Sequence, residues 1–231
     1  MRAVIIQHEQ HEDAGLIAPE LTKVGFSLVR RFRSLERVDL EAELVVILGG
    51  PMSVAEVAQH PFLQTELAFL TERLALERPC LGICLGSQLL AAAAGAQVSK
   101  GKNGFELGVG PVRWTKAGLE DPVVAGAPAR STVAHWHQDT FSPVPGATLL
   151  ASTDRYSQQA FRLGNSYAFQ FHLELTADAW LQWLDEGAAA LTAAGKDLAA
   201  LRADAGKLRA AEAQNAQLLA RLAQHFARTV G

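Results

Sequence analysis

The sequence predicts an α/β protein: a doubly wound, mostly parallel central sheet with helices on both faces and a smaller antiparallel strand region. Three observations predict it. Short apolar runs alternate with helix-forming segments through the first half of the chain, at the spacing of βαβ units. The run "AELVVILGG" is apolar without alternation, as in a strand covered on both faces. The second half changes to short strand-like runs separated by Gly, Pro, Asp and Asn, which suits antiparallel pairing.

In order, "AVIIQ" reads as a strand, "GLIAPELTKVG" as a helix stopped by Gly25, "FSLVRRF" as a strand and "AELVVILGG" as a buried strand. A helix follows from Pro61 to Leu76. In "RPCLGICLGSQLLAAAAGAQ", Cys80 to Ile83 is a buried strand and Ser87 to Ala94 is rich in helix formers. The later strands are "VGPVRWT", "STVAHWHQ", "ATLLAST", "SQQAFRL" and "SYAFQFH". From Thr176 the chain turns helical. Leu198, Leu201 and Leu208, then Leu219, Leu222 and Phe226, recur at spacings near three, four and seven. They predict one or two amphipathic helices, broken near Gly195 or Gly206 and packed on the same domain; a homodimer or partner surface is the other reading. The expected organisation is therefore a domain over 1–186 and an Ala-rich helical extension over 187–231.

A chain of 231 residues can bury a full core as one domain. Its formal net charge of −3 argues against a nucleic-acid or anionic-membrane surface, both of which want clustered Lys and Arg. "MRAVIIQ" is too short in its apolar part for a signal peptide, and no run approaches the ~18 apolar residues of a membrane span. The expectation is a cytoplasmic protein. Its two cysteines, four positions apart, make no disulfide framework.

Cys84 lies where the strand becomes a helix, flanked by Gly82 and Gly86. A side chain at such a sharp turn projects outward with a helix N-terminus behind it, and small neighbours are what the turn needs. The helix end favours the thiolate, the reactive species. Free cysteine is more commonly a small buried hydrophobe, the reading that suits Cys80 inside the strand. A nucleophilic thiol needs a base, and the base an orienting acceptor. In "FQFHLELT", Phe169, Phe171 and Leu173 alternate with Gln170, His172 and Glu174, so on a strand His172 and Glu174 share a face. Donors for a developing oxyanion are offered by the Gly50 N–H, after a buried strand in "LVVILGGPM", and by the Leu85 N–H. A rival reading takes His135, His137 and Asp139 of "HWHQD" as metal ligands on one strand face, with His8 and His11 of "HEQHED" nearby. A second rival is a regulatory binding module that keeps the fold without turnover.

With those residues in hand, the chain resembles the class I (triad-type) glutamine amidotransferases, close to the amidotransferase half of GMP synthetase. "ILGGPMS", "CLGICLGSQLLAAAAGAQV", "ELGVGPV", "HWHQD" and "FQFHLE" carry the resemblance, which covers roughly residues 3 to 185. It implies a flavodoxin-like form of the sheet and no cofactor or metal. It also implies hydrolysis of glutamine's side-chain amide through a cysteine thioester. Carried over, Cys84 is the nucleophile, His172 the base and Glu174 its orienter; Gly50 and Leu85 form the oxyanion hole. Gln88 contacts the α-amino-acid end of glutamine, and the backbone around Gln138 and Asp139 completes that pocket. The family's usual His-Pro-Glu is His-Leu-Glu here, and no synthetase domain follows. The ammonia acceptor is then a separate synthetase, or the chain is a stand-alone γ-glutamyl peptidase using the same thioester.

Overall fold

In the computed structural model, which describes residues 1–230, the first half of the chain forms β1 (Arg2–Gln7), α1 (Ile17–Lys23), β2 (Ser27–Phe32), β3 (Leu44–Ile47), α2 (Pro61–Ala75), β4 (Cys80–Ile83) and α3 (Leu85–Ala93). There follow β5 (Val98–Lys100), β6 (Glu106–Trp114), α4 (Lys116–Glu120), β7 (Arg130–His137), β8 (Asp139–Phe141), β9 (Thr148–Ser152), β10 (Ala160–Leu163) and β11 (Ser166–Phe169). Four helices come last: α5 (Ala177–Glu186), α6 (Ala188–Ala193), α7 (Leu198–Ala203) and α8 (Ala205–Val230).

The main sheet runs β2-β1-β3-β4-β11-β10-β9-β6-β7, and β5 pairs with β8 separately. Strands β2, β1, β3, β4 and β11 are mutually parallel. The remaining pairs are antiparallel. The last strand in sequence, β11, thus sits mid-sheet beside β4, with Phe169 opposite Ile83. Strand β3 lies on the other side of β4, with Ile47 opposite Gly82. The segments leaving β3, β4 and β11 therefore emerge together at one sheet edge, where parallel α/β sheets gather their ligands.

The period-2 geometry of the strands divides the core. Ala3, Ile5, Leu44 and Val46 pack with α1 and α8, whereas Val4, Ile6, Val45 and Ile47 pack with α2 and α3. Helix α8 buries Leu208, Leu219, Leu222 and Phe226 along one stripe, as their spacing predicts. The tail breaks near both expected glycines: between α6 and α7, where Gly195 takes φ 67°, and at Asp204, just before Gly206, which itself lies in the first turn of α8. One expectation needs correcting. His172 and Glu174 are not on a strand, because β11 stops at Phe169 and the chain crosses to β7 through a single bridge, Ala134 to His172. No described helix is long and apolar enough to cross a membrane.

Phe226 is fully buried between α8 and the parallel sheet. Phe226→Ala is expected to cost about 3–5 kcal/mol of stability, the usual cost of deleting a core phenyl ring. The midpoint of urea unfolding should fall with an unchanged slope; an unmoved midpoint would show that α8 contributes little to the core.

Candidate active site

Strand β4 turns into α3 at Cys84, whose backbone takes φ 51° and ψ −108°. Positive φ is strained for a residue with a Cβ, costing on the order of 1–3 kcal/mol. The surroundings impose it. The Cys84 N–H donates to the Phe169 carbonyl at 2.8 Å, and the Cys84 carbonyl accepts from the N–H groups of Ser87 and Gln88. The glycines have a measurable reason. A Cβ on Gly86 would lie 2.1 Å from the Ile47 carbonyl oxygen, and one on Gly82 would lie 2.5 Å from that of Gly86. Only bare backbone lets α3 start this close to β3 and β4.

Cys84 opens into a cavity of about 890 Å³ whose walls include Glu12, Gln88, Trp136, His172 and Trp183. Its Sγ lies 3.8 Å from the Trp136 carbonyl oxygen. His172 is held to β7 through its backbone, donating to the Ala134 carbonyl at 2.9 Å. Its Nδ1 hydrogen-bonds Glu174 Oε1 at 2.6 Å. Trp183 packs edge-on against the imidazole, ring centroids 5.0 Å apart. Burial pushes the His172 pKa down, but the Glu174 carboxylate and the Cys84 sulfur outweigh it and hold the pKa well above its ordinary value. The arrangement can thus hold the ring as an imidazolium beside Glu174. Cys80, by contrast, has no exposed surface, and burial pushes its thiol pKa up.

The glycine turn after β3 lies against the elbow. A Cβ on Gly50 would meet Leu85 Cδ2 at 3.1 Å, and one on Gly49 would sit 3.6 Å from the Cys84 Cβ. Among the described residues, the N–H groups of Gly50 and Leu85 carry no hydrogen bond. Backbone N–H groups left unpaired are free to donate to a ligand oxygen. Gln88 is buried and donates to Gln170 Oε1 at 3.1 Å. Gln138 is exposed at the cavity rim, its carbonyl accepting from the Gly101 N–H. The Asp139 carboxylate accepts from Ser53 Oγ at 2.5 Å, which ties the far end of the glycine turn to β8.

The metal-ligand set expected in "HWHQD" is corrected. β7 ends at His137 and β8 begins at Asp139, so the carboxylate turns away to Ser53. Glu106 on β6 takes its place, with one ligand atom from each of Glu106, His135 and His137 lying within 4.8 Å of the others. These three are the described residues that could hold a metal. The Glu106 carboxylate already accepts from Gln159 Nε2 at 2.6 Å and faces His137 Nε2 at 3.0 Å. His8 and His11 lie apart from them, paired with Glu66 and Glu186.

Sequence reasoning missed Glu12, Trp183 and the His8–Glu66 pair. The Glu12 carboxylate lies where a Gly49 Cβ would stand 2.8 Å from it and 3.2 Å from His172 Cε1. Burial raises its pKa, against the opposing pull of His172. His8 bonds the Gly49 carbonyl at 2.8 Å and Glu66 at 2.9 Å. Burial alone would lower the His8 pKa, yet Glu66, the Gly49 carbonyl and Glu12 hold it above the ordinary value. The partners of "HEQHED", far away in sequence, were not legible.

A family model described as glutamine amidotransferase class-I matches residues 16–185. The chain is 32% identical over 187 residues to the glutamine amidotransferase-like protein YfeJ of Salmonella typhimurium, covering 78% of each. To the GMP synthase of Pyrobaculum aerophilum it is 30% identical over 181 residues, which are 76% of this chain and 33% of the synthase. γ-Glutamyl peptidase 4 of Arabidopsis thaliana is 29% identical over 114 residues, 48% of this chain and 45% of the peptidase. Among solved structures, a glutamine amidotransferase from Thermotoga maritima superposes with a TM-score of 0.89 at 32% identity, covering 98% of both chains.

Proposed function

Because the chain belongs to the class I glutamine amidotransferase family, we propose that it hydrolyses a γ-glutamyl amide through a thioester on Cys84. The observation that carries this reading is His172 bonded to Glu174, at the wall of the cavity that Cys84 also lines. The Cys84 thiolate attacks the amide carbon, and the oxygen's new negative charge is taken by the Gly50 and Leu85 N–H groups. The C–N bond breaks as the His172 imidazolium passes its proton to the leaving nitrogen, releasing ammonia or an amine. His172 then removes a proton from water, which attacks the thioester; glutamate leaves and the thiolate returns. Glu174 keeps the ring in one orientation and stabilises its charged form. Gln88, Gln138 and Asp139 hold the α-amino-acid end.

We read residues 1–186 as the catalytic unit and 187–231 as an extension completing its core. The chemistry requires a reduced thiol, and both cysteines are free, which suits a reducing compartment such as the cytoplasm. Amidotransfer would hand ammonia to a separate synthetase. A second reading, a stand-alone γ-glutamyl peptidase, is favoured by the cavity: about 890 Å³ falls in the range of roughly 300–1,000 Å³ that houses ligands much larger than glutamine.

The test is steady-state turnover of the purified chain on glutamine and on a panel of γ-glutamyl dipeptides and amides, with glutamate and the released amine both measured. A peptidase cleaves a member of the panel faster than glutamine. A transferase subunit turns over glutamine slowly until a synthetase is added. Brisk release of ammonia from glutamine alone would contradict both.

A further inference from the structure

His8 and Glu66 are a buried ionisable pair that the reaction steps above do not use. They are 0% and 1% exposed. His8 Nδ1 lies 2.8 Å from the Gly49 carbonyl oxygen and Nε2 lies 2.9 Å from Glu66 Oε2. A carbonyl oxygen can only accept, so Nδ1 carries a proton and donates it. The Glu66 carboxylate facing Nε2 fixes the ring and balances a proton there.

The peptide that His8 holds is the one whose other end matters. The Gly49–Gly50 peptide bond is trans, so the Gly49 carbonyl and the Gly50 N–H point in opposite directions across it. With the carbonyl turned to His8, the Gly50 N–H is turned away from it, at a residue that lines the cavity. Consecutive glycines would otherwise leave this peptide free to rotate. His8 itself is fixed, since its own carbonyl accepts from Arg33 Nε at 2.7 Å. The other end of the turn is held by Ser53 on Asp139.

We propose that His8, braced by Glu66, latches the Gly49–Gly50 peptide with its N–H presented to the oxyanion, and is the positioning residue of the oxyanion hole. The proposal rests on the reading of Gly50 as an oxyanion donor. It makes the hole preformed in the isolated chain, with no synthetase needed to order it.

The test compares His8→Phe, Glu66→Leu and Glu66→Gln with the parental chain on the best substrate of the panel. Outright loss of an oxyanion donor costs about 10²–10³-fold in kcat. Loosening the latch in His8→Phe and Glu66→Leu should cost about 10–100-fold in kcat, with KM little changed. Glu66→Gln should keep most activity, because the amide can donate to Nε2 while Nδ1–H stays on Gly49. Alkylation of Cys84 by iodoacetamide is displacement at a saturated carbon and builds no oxyanion. Its rate should stay parental in all three variants. Parental kcat in His8→Phe overturns the latch, and so does an equal fall in alkylation, which would mean general disorder of the site. Nitrogen-15 NMR of the His8 ring decides the matter without turnover: a proton on Nδ1 is expected, and its absence overturns the proposal. A parental chain that hydrolyses nothing in the panel would sink the hydrolase reading instead.

Discussion

Cys84→Ser is expected to lower hydrolysis by on the order of 10⁴-fold or more, whereas Cys80→Ser should retain most activity. The two sulfurs sit four residues apart in opposite environments. Cys84 lines the cavity and its sulfur helps raise the His172 pKa; Cys80 has no exposed surface, and burial pushes its thiol pKa up. A serine at Cys84 keeps the shape but presents a hydroxyl that the same base cannot ionise comparably. A γ-glutamyl electrophile should add once. Peptide mass spectrometry that found the adduct on Cys80 would overturn the assignment.

His172→Ala should cost on the order of 10⁴-fold, and Glu174→Ala clearly less, because the first removes the proton carrier and the second leaves it present but unsteady. Equal losses would make Glu174 part of the proton path rather than an orienter. The same residues set a pH signature. The folded pKa of His172 is raised, so the stability it contributes is fully present below the ordinary histidine value of about 6.5 and is lost as pH rises through the folded value. Cys84→Ala removes one of the groups that raise it. The His172 titration, followed by NMR, should therefore move to lower pH in that variant; an unmoved titration would mean the sulfur and the ring do not interact.

The parts of the site that follow from local pattern were legible in sequence. Gly82, Cys84 and Gly86 announce the elbow because a strand-to-helix turn packed on bare backbone tolerates nothing larger. His172 and Glu174 were readable as a pair from their two-residue spacing, which brings them to 2.6 Å although the segment is bridged to β7 rather than paired as a strand. The alternation of elements gave the parallel half of the sheet. What was hidden depends on contacts between distant segments. Glu66 on α2 gives no sign that it reaches His8, and nothing in "ELGVGPV" says that the Glu106 carboxylate, rather than that of Asp139, meets His137.

Helix α8 packs against α1, so Ile17 and Leu21 share one apolar cluster with Leu219, Leu222 and Phe226. Synthesis delivers α1 long before α8. While a ribosome is still adding residues before Leu219, one face of the parallel sheet has only α1 to cover it, and the apolar strands β1, β3 and β4 remain partly bare on that side. The domain therefore closes late, after nearly all of it has been made, and its emerging first half is a natural client for whatever shields apolar surface on nascent chains. Chains stalled at Asp204 should be cleaved rapidly by a protease that leaves the finished protein intact, and equal resistance of the two would show that the sheet holds together without its final helix.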